Sequence, residues 1–415
     1  MFGEPRVTTP LRDRLRSALQ QPVRSEPVAR VESVTELADL SVLGGRWFTS
    51  ADGPGYLIES HYEAGHAHGD VTLHRALTLD LGLLAAQCRD ERLGACDPRA
   101  LLYVDTETTG LGGAGAMVFL AGVARFDGSL LRLRQFLLPS PAYEGGLLGG
   151  LAAEIERAAA LVSYNGKSFD VPLLEARYIL SRRRPTFRSL PHLDLLHPNR
   201  RLFKGAFESN RLPVVEREVL GFEREADCPS WEVPERYFRF QRTGDPTHIL
   251  PVLRHNAWDV LSLVALAAHL AAECAGEGNP LRAARAATYA GGHAAALGHF
   301  AKAAGSVAAP ERLEAMEGAA RAAARLGDWE TAAGWWRRLI AEPRSRRITP
   351  YVELAKLLEH RLRKPAEALA TVERALDLAR RGLLPQGQPG SEATIAALER
   401  RRARLARRAA AQSRA

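Results

Sequence analysis

Asp105 and Glu107 stand two residues apart in Tyr103-Val104-Asp105-Thr106-Glu107-Thr108-Thr109-Gly110-Leu111, directly after an apolar run that begins at Leu101. On a β-strand side chains repeat every two residues, so both carboxylates project from one face. Two acids about 7 Å apart at a buried strand end repel each other and are costly unless a cation lies between them. Hard divalent ions such as Mg2+ or Mn2+ favour such an all-oxygen setting. The competing reading is a turn carrying two solvated acids.

Two further acids follow. Asp170 closes Ser163-Tyr164-Asn165-Gly166-Lys167-Ser168-Phe169-Asp170, where it suits either a ligand role or the cap of a helix starting at Val171. Asp259 lies in Arg254-His255-Asn256-Ala257-Trp258-Asp259-Val260-Leu261. On a helix, His255 and Asp259 are i and i+4 and share a face. A lone carboxylate in that apolar helix would be expensive, although a structural His–Asp pair also accounts for it.

Cations interleave with aromatics in two places: Arg177, Arg182, Arg183, Arg184, Phe187 and Arg188, then Arg200, Arg201, Phe203, Lys204 and Phe207. Arginines neutralise phosphates while aromatic faces stack on unpaired bases; a solvated basic loop over core Phe residues gives the same pattern. His61, His66, His68 and His74 lack an acid or cysteine to complete a ligand set and read as structural or surface residues. Gly112-Gly113-Ala114-Gly115 precedes a strand rather than a helix, which disfavours a phosphate-binding loop. Trp329, Trp335 and Trp336 read as core packing.

The elements that must position these groups divide the chain into four regions. Residues 1–99 read as an N-terminal arm, with Leu11, Leu15 and Leu19 on one helical face, and a small β-hairpin pairing Tyr56–Ile58 with Val71–Leu73. Residues 100–275 read as one α/β unit. Its strands are expected at Leu101–Val104, Met117–Phe126, Leu130–Leu138, Leu161–Tyr164 and Leu193–Leu196, with turns at Gly110–Gly115 and Asp127-Gly128 and helices at Leu147–Ala160 and Val171–Leu180. That order predicts a mixed five-stranded sheet flanked by helices. Residues 276–381 turn alanine-rich and helical, and Gly298–Ala304, Gly327–Ala333 and Arg363–Leu369 align as an internal repeat of paired helices. Residues 382–415 form a Pro/Gly linker, Gly382 to Gly390, and a last helix carrying Arg400, Arg401, Arg402, Arg404, Arg407 and Arg408, which reads as solvated or as a nucleic-acid contact.

Composition bounds the reading. The 415 residues allow about two to three domains, and 46% apolar with 25% charged content excludes a mostly disordered chain. No uncharged apolar run reaches about 18 residues, so no membrane span is expected, and the charged start is unlike a secretory signal. Four scattered cysteines without C-x-x-C suit reduced thiols and a cytoplasmic location. The net charge of +8 is uneven: 25 cations face 14 anions in residues 276–415, whereas residues 1–275 balance slightly negative. That asymmetry reflects either a polyanionic partner or an arginine-rich genome.

As a set, the three acidic segments resemble the three motifs of the DEDD superfamily of ribonuclease H-like 3′→5′ exonucleases. More narrowly, Asp194-Leu195-Leu196, Arg200-Arg201-Leu202-Phe203, Val219-Leu220-Gly221, Val233-Pro234-x-x-Tyr237-Phe238 and His255-Asn256-x-x-Asp259 resemble the bacterial YprB-like proteins over residues 100–270. The resemblance implies a ribonuclease H-like fold. It also implies two Mg2+ or Mn2+ ions held by Asp105, Glu107, Asp170 and Asp259, with His255 as general base or water-orienting group. Thr106, Asn165, Phe169, Arg183, Arg184, Arg200 and Arg201 become candidates for single-stranded DNA or RNA contact. The helical region is similar to tetratricopeptide (TPR) repeats, which implies a protein partner. In one respect the sequence departs from the pattern: three residues lie between His255 and Asp259, a spacing that goes with tyrosine in the superfamily. Three functions compete: an exonuclease acting on single-stranded ends, a nucleic-acid-binding scaffold recruiting a partner through the repeats, and polynucleotide transfer, for which no second acidic cluster exists.

Overall fold

The computed structural model describes residues 39–412, apart from 64, 111–114, 184–186, 307, 344, 346 and 382–390. The expected helical face of Leu11, Leu15 and Leu19, most of the Gly110–Gly115 turn, Arg184 and the Gly382–Gly390 linker lie outside the described residues.

Among the described residues the central sheet has seven strands, not five, in the order β1-β2-β7-β6-β5-β8-β9. The five expected strands are β5 (Leu101–Thr108), β6 (Val118–Asp127), β7 (Leu130–Leu137), β8 (Ala160–Ser163) and β9 (His192–Asp194). Two more, β1 (Arg46–Ser50) and β2 (Gly53–Glu63), extend the β7 edge. The expected hairpin is therefore corrected. Tyr56–Ile58 pairs with β1 and β7, while Val71-Thr72 (β4) pairs with Ala67-His68 (β3) in a separate ribbon. Its tip docks elsewhere: the Asp70 amide donates to the Leu220 carbonyl at 2.6 Å, and a Cβ on Gly69 would lie 2.0 Å from that same oxygen. Strand β9 ends at Asp194 because its carboxylate accepts the Leu196 amide and starts a helix there.

The helices before the alanine-rich region are α1 (Leu81–Cys88), α2 (Glu144–Ile155), α3 (Asp170–Leu180), α4 (Leu196–Leu202), α5 (Leu212–Val215, running into a π-turn at Glu216–Leu220), α6 (Val233–Thr243) and α7 (Leu250–Ala275). Helix α2 packs on β1, β2, β6 and β7, whereas α7 crosses β5, β6 and β7. By length and apolarity α7 would suffice to span a bilayer, yet most of it is buried, with Val260, Val264 and Leu270 in the core beside Leu101 and Tyr103. All four cysteines are free thiols.

Beyond α7 the described chain is helical: α8 (Pro280–Tyr289), α9 (His293–Ser306), α10 (Ala309–Arg325), α11 (Trp329–Ala341), α12 (Thr349–His360), α13 (Pro365–Arg380) and α14 (Ser391–Gln412). Consecutive helices pack on one another, and Trp336 is buried in their shared core with Trp329 and Trp335 against it. Two of the three aligned segments, those at Gly327 and Arg363, begin at the turns that open helices, and the first does not. Gly298 lies inside α9, and the left-handed turns that open α9, α11 and α13 fall at Gly291, Gly327 and Arg363, at intervals of 36 residues. The Gly298 match is alanine periodicity within one helix.

Candidate metal centre

Strand β5 sets the site. Leu101 and Tyr103 face α7 in the core, and the same alternation carries Asp105 and Glu107 onto that face. Asp105 pairs with Gly122 on β6, and Gly122 with Gln135 on β7, forming a row across three strands. Asn256 of α7 lies over this row. Its Nδ2 donates to Asp105 Oδ2 at 2.8 Å and its Oδ1 accepts from Gln135 Nε2 at 3.0 Å. A Cβ on residue 122 would fall 2.1 Å from that Oδ1, so glycine is what lets the helix seat here. With Asn256 fixed, its helical neighbours His255 and Asp259 are brought to Glu107.

Asp170 comes from the turn after β8. Asp194 organises that turn, accepting the Asn165 amide at 2.7 Å and the Lys167 amide at 3.1 Å, while Asn165 adopts a positive φ of 67°. Asp170 does not cap α3. It is the first helical residue, and its Oδ1 instead accepts the Thr106 hydroxyl at 2.5 Å.

Ligand atoms of Glu107, His255 and Asp259 all lie within 4.8 Å of one another. His255 Nε2 is 3.4 Å from Asp259 Oδ2 and 4.0 Å from Glu107 Oε1. Electrostatics ties Asp105 and Asp170 to the same cluster. Burial, with the Asp259, Glu107 and Asp170 charges, drives the Asp105 carboxyl well above its ordinary range. Glu107 is pushed up to about 8, first by burial and then by Asp259, and Asp170 to about 6 by burial against the Thr106 hydrogen bond. Burial pulls His255 down, but Asp259, Glu107 and the bond to Asp227 outweigh it, so its net shift is upward. Partly buried carboxylates that raise one another in this way form a donor set fitted to divalent cations.

Sequence reasoning missed the groups behind the cluster. Arg224 bonds Glu216 at 2.6 and 2.7 Å, Asp227 at 3.1 Å and also Asp259 Oδ1, and Asp227 Oδ1 holds His255 Nδ1 at 2.8 Å. Arg224 and Asp227 sit in an irregular loop without periodicity; the buried Glu216 after Val214-Val215 is the one detectable signal.

The expected nucleic-acid contacts separate. Thr106 and Asn165 shape the site itself, and Phe169, beside Asp170, is 55% exposed. Arg183 is ion-paired to Asp52 in a recess shared with Arg46 and Phe48, and Arg177 is held by Glu144. Arg200 lines a different recess against the helical region, where Arg201 bonds the Gln87 carbonyl and stacks 3.7 Å from the Tyr289 ring centre. Phe187 and Phe203 are core residues. Among the four histidines near the N-terminus, His68 is buried and bonds Ser262 at 2.7 Å.

Residues 102–271, which include all four acids and His255, match a family profile described as the RNase_H superfamily. This stretch is a ribonuclease H-like domain. Over 172 residues the chain is also similar to the YprB protein of Bacillus subtilis (strain 168), at 42% identity, covering 41% of this chain and 41% of that protein. The chain thus matches well under half the length of this curated relative. The two strands β1 and β2 lie N-terminal to the profile-matched ribonuclease H-like residues, yet they extend its sheet.

Proposed function

We propose that the protein is a two-metal-ion nuclease of the DEDD type, a 3′→5′ exonuclease hydrolysing phosphodiester bonds at single-stranded ends of nucleic acid. The observation that carries this reading is that Glu107, His255 and Asp259 bring ligand atoms within 4.8 Å of one another at a partly buried site, with Asp105 and Asp170 near enough for their charges to oppose Glu107 and Asp259. These four side chains would hold two Mg2+ or Mn2+ ions. When bound, such ions activate water and neutralise the charge that develops on the phosphate and the leaving oxygen.

The chain's own residues do the positioning. Asn256 orients Asp105, and Thr106 orients Asp170. The exposed Phe169 ring beside Asp170 offers a stacking face to an unpaired terminal base. His255 belongs to the same catalytic set because its Nε2 faces the acids. The polarity and the single-strand preference rest on the resemblance of the three acidic segments.

The test is digestion of end-labelled DNA and RNA oligonucleotides, each end blocked in turn, with Mg2+ or Mn2+. Wild type should release mononucleotides from free 3′ ends, and Asp105→Ala/Glu107→Ala should not. Equal hydrolysis by both proteins would remove the acids from the mechanism.

A second reading is favoured by the 36-residue spacing of the turns that open α9, α11 and α13. Paired helices at that period are TPR-like and suit a scaffold that recruits a protein partner, with the central domain binding nucleic acid. That reading predicts tight oligonucleotide binding without cleavage under any divalent ion. The free thiols suit a cytoplasmic setting in either case.

A further inference from the structure

The loop after the π-turn, carrying Arg224 and Asp227, is built with more care than a connection needs. Its base is pinned from three sides: His68 bonds Ser262, Ser262 donates to Glu216 Oε1 at 2.5 Å, and the tip of the β3–β4 ribbon docks on Leu220. A Cβ on Gly221 would fall 2.4 Å from Asp70 Oδ2, so the loop leaves the π-turn against a fixed surface. From there it delivers one guanidinium and one carboxylate to the back of the acid cluster.

Each of these groups occupies the rear atom of a side chain whose front atom faces Glu107. Arg224 takes Asp259 Oδ1, leaving Oδ2 on the His255 side, and Asp227 takes His255 Nδ1, leaving Nε2 on the Asp259 and Glu107 side. Arg224 Nη1 also lies 3.2 Å from Nδ1, but the Asp227 carboxylate is nearer at 2.8 Å, and a carboxylate there stabilises the tautomer that protonates Nδ1 and puts the lone pair on Nε2. His255 is only 5% exposed and wedged between Asp227 and Asp259, with little freedom to swing toward a substrate and back. Its i,i+4 relation to Asp259 places two ligand atoms on one helical face.

We propose that His255 is a nitrogen ligand of one of the two cations, sharing it with Glu107 and Asp259, and that Asp227 and Arg224 are positioning residues that aim this ligand pair. The proposal rests on the metal-dependent reading above and narrows it. Replacing one oxygen donor by imidazole disfavours Mg2+, which seeks oxygen, and shifts preference toward Mn2+ and later first-row ions.

The experiment is Mn2+ binding to the full chain followed by pulsed electron paramagnetic resonance. Wild type should show imidazole nitrogen coupling on bound Mn2+. The 14N pattern should be replaced by a 15N one on selective labelling of histidine, which leaves the fold untouched, and should vanish in His255→Ala. Asp227→Leu should weaken Mn2+ binding about tenfold and diminish the coupling, as loss of an outer-shell partner does. Asp227→Asn, whose amide oxygen still accepts from Nδ1, should retain the coupling. Titration should show Mn2+ bound about tenfold more tightly than Mg2+, with the gap narrowing in His255→Ala. Mn2+ bound to wild type without nitrogen coupling overturns the assignment, as does coupling that survives His255→Ala. Nitrogen-coupled Mn2+ in a protein that cleaves no nucleic acid would sink the nuclease reading alone; absence of any divalent binding would sink both.

Discussion

Asn256 on α7 and Asp105 on β5 are joined by a 2.8 Å hydrogen bond that crosses the gap left by the missing side chain of Gly122. This contact sets both the depth and the rotation of the helix that carries His255 and Asp259. Gly122→Ala is therefore expected to lift α7 off the sheet locally. Overpacking of this kind costs about 1–3 kcal/mol, and the catalytic atoms on α7 would move with it. Hydrolysis should fall at least about tenfold, given the steep dependence of rate on alignment, and the melting temperature should drop. An alanine variant with unchanged rate and melting curve would show that Asn256 does not seat the helix.

The raised carboxyls make the metal-free protein sensitive to alkali. A carboxyl whose folded pKa lies above its unfolded one holds its proton longer in the native state, so stability is lost as pH rises between the two values. Glu107 shifts from the ordinary range near 4.5 to about 8, and Asp170 from near 3.8 to about 6. The melting temperature in EDTA should therefore decline from pH 5 to pH 8, and Mn2+ at pH 8 should restore it. A flat or rising profile in EDTA contradicts the burial of these acids.

The same repulsion predicts a trade between stability and activity. Glu107→Gln keeps the shape and removes one charge from a cluster in which Asp259 and Asp170 oppose it. In EDTA at pH 8 this variant should melt higher than wild type, while losing about 100-fold or more in hydrolysis, as expected when a charge-stabilising group at a reaction centre is removed. Thermal melts and single-turnover digestion check the two halves separately. A variant that is both less stable and inactive would point to Glu107 as a structural residue.

Legibility from sequence follows how local each signal is. The four acids and the β5 alternation were readable because strand periodicity and a run of apolar residues are local patterns, and the structure keeps Asp105 and Glu107 on one face. Asp170 was ambiguous between ligand and cap because both roles occupy the start of α3; only the bond from Thr106, 64 residues away, separates them. Arg224 and Asp227 were invisible, since nothing in Arg224-Glu225-Ala226-Asp227 announces that the loop folds behind His255, 28 residues from Asp227. Two sheet strands were misassigned for a related reason. Tyr56-Leu57 pairs on one side with the adjacent β1 and on the other with β7, far along the chain, while Val71-Thr72 pairs with Ala67-His68 in a ribbon whose tip docks on Leu220. The two basic-aromatic segments suit phosphate and base contacts by composition, yet Asp52, Glu144 and Tyr289, all remote in sequence, draw their arginines to different places.

The last helix illustrates how a charge run acquires a structural role. Arg401, Arg404 and Arg408 of α14 converge on Glu359 of α12 at 2.7, 2.8 and 3.1 Å, and the Glu359 side chain has no exposed surface. Hydrogen bonding from Arg404 holds the Glu359 carboxyl below its ordinary range despite burial. Its contribution to stability is thus present above the unfolded pKa and fades as pH falls through the folded one. Glu359→Ala removes the common acceptor and leaves three facing guanidiniums; since two of them are half exposed and screened, a loss of about 1–3 kcal/mol is expected rather than the full cost of breaking a buried pair. The variant should melt earlier at neutral pH, with the difference from wild type shrinking in acid, and it should leave oligonucleotide cleavage intact because Glu359 is remote from the acid cluster. Identical melting of the two proteins at neutral pH would mean that α14 is held by its apolar contacts, Leu398 and Leu405, and that the arginines are free for a polyanion after all.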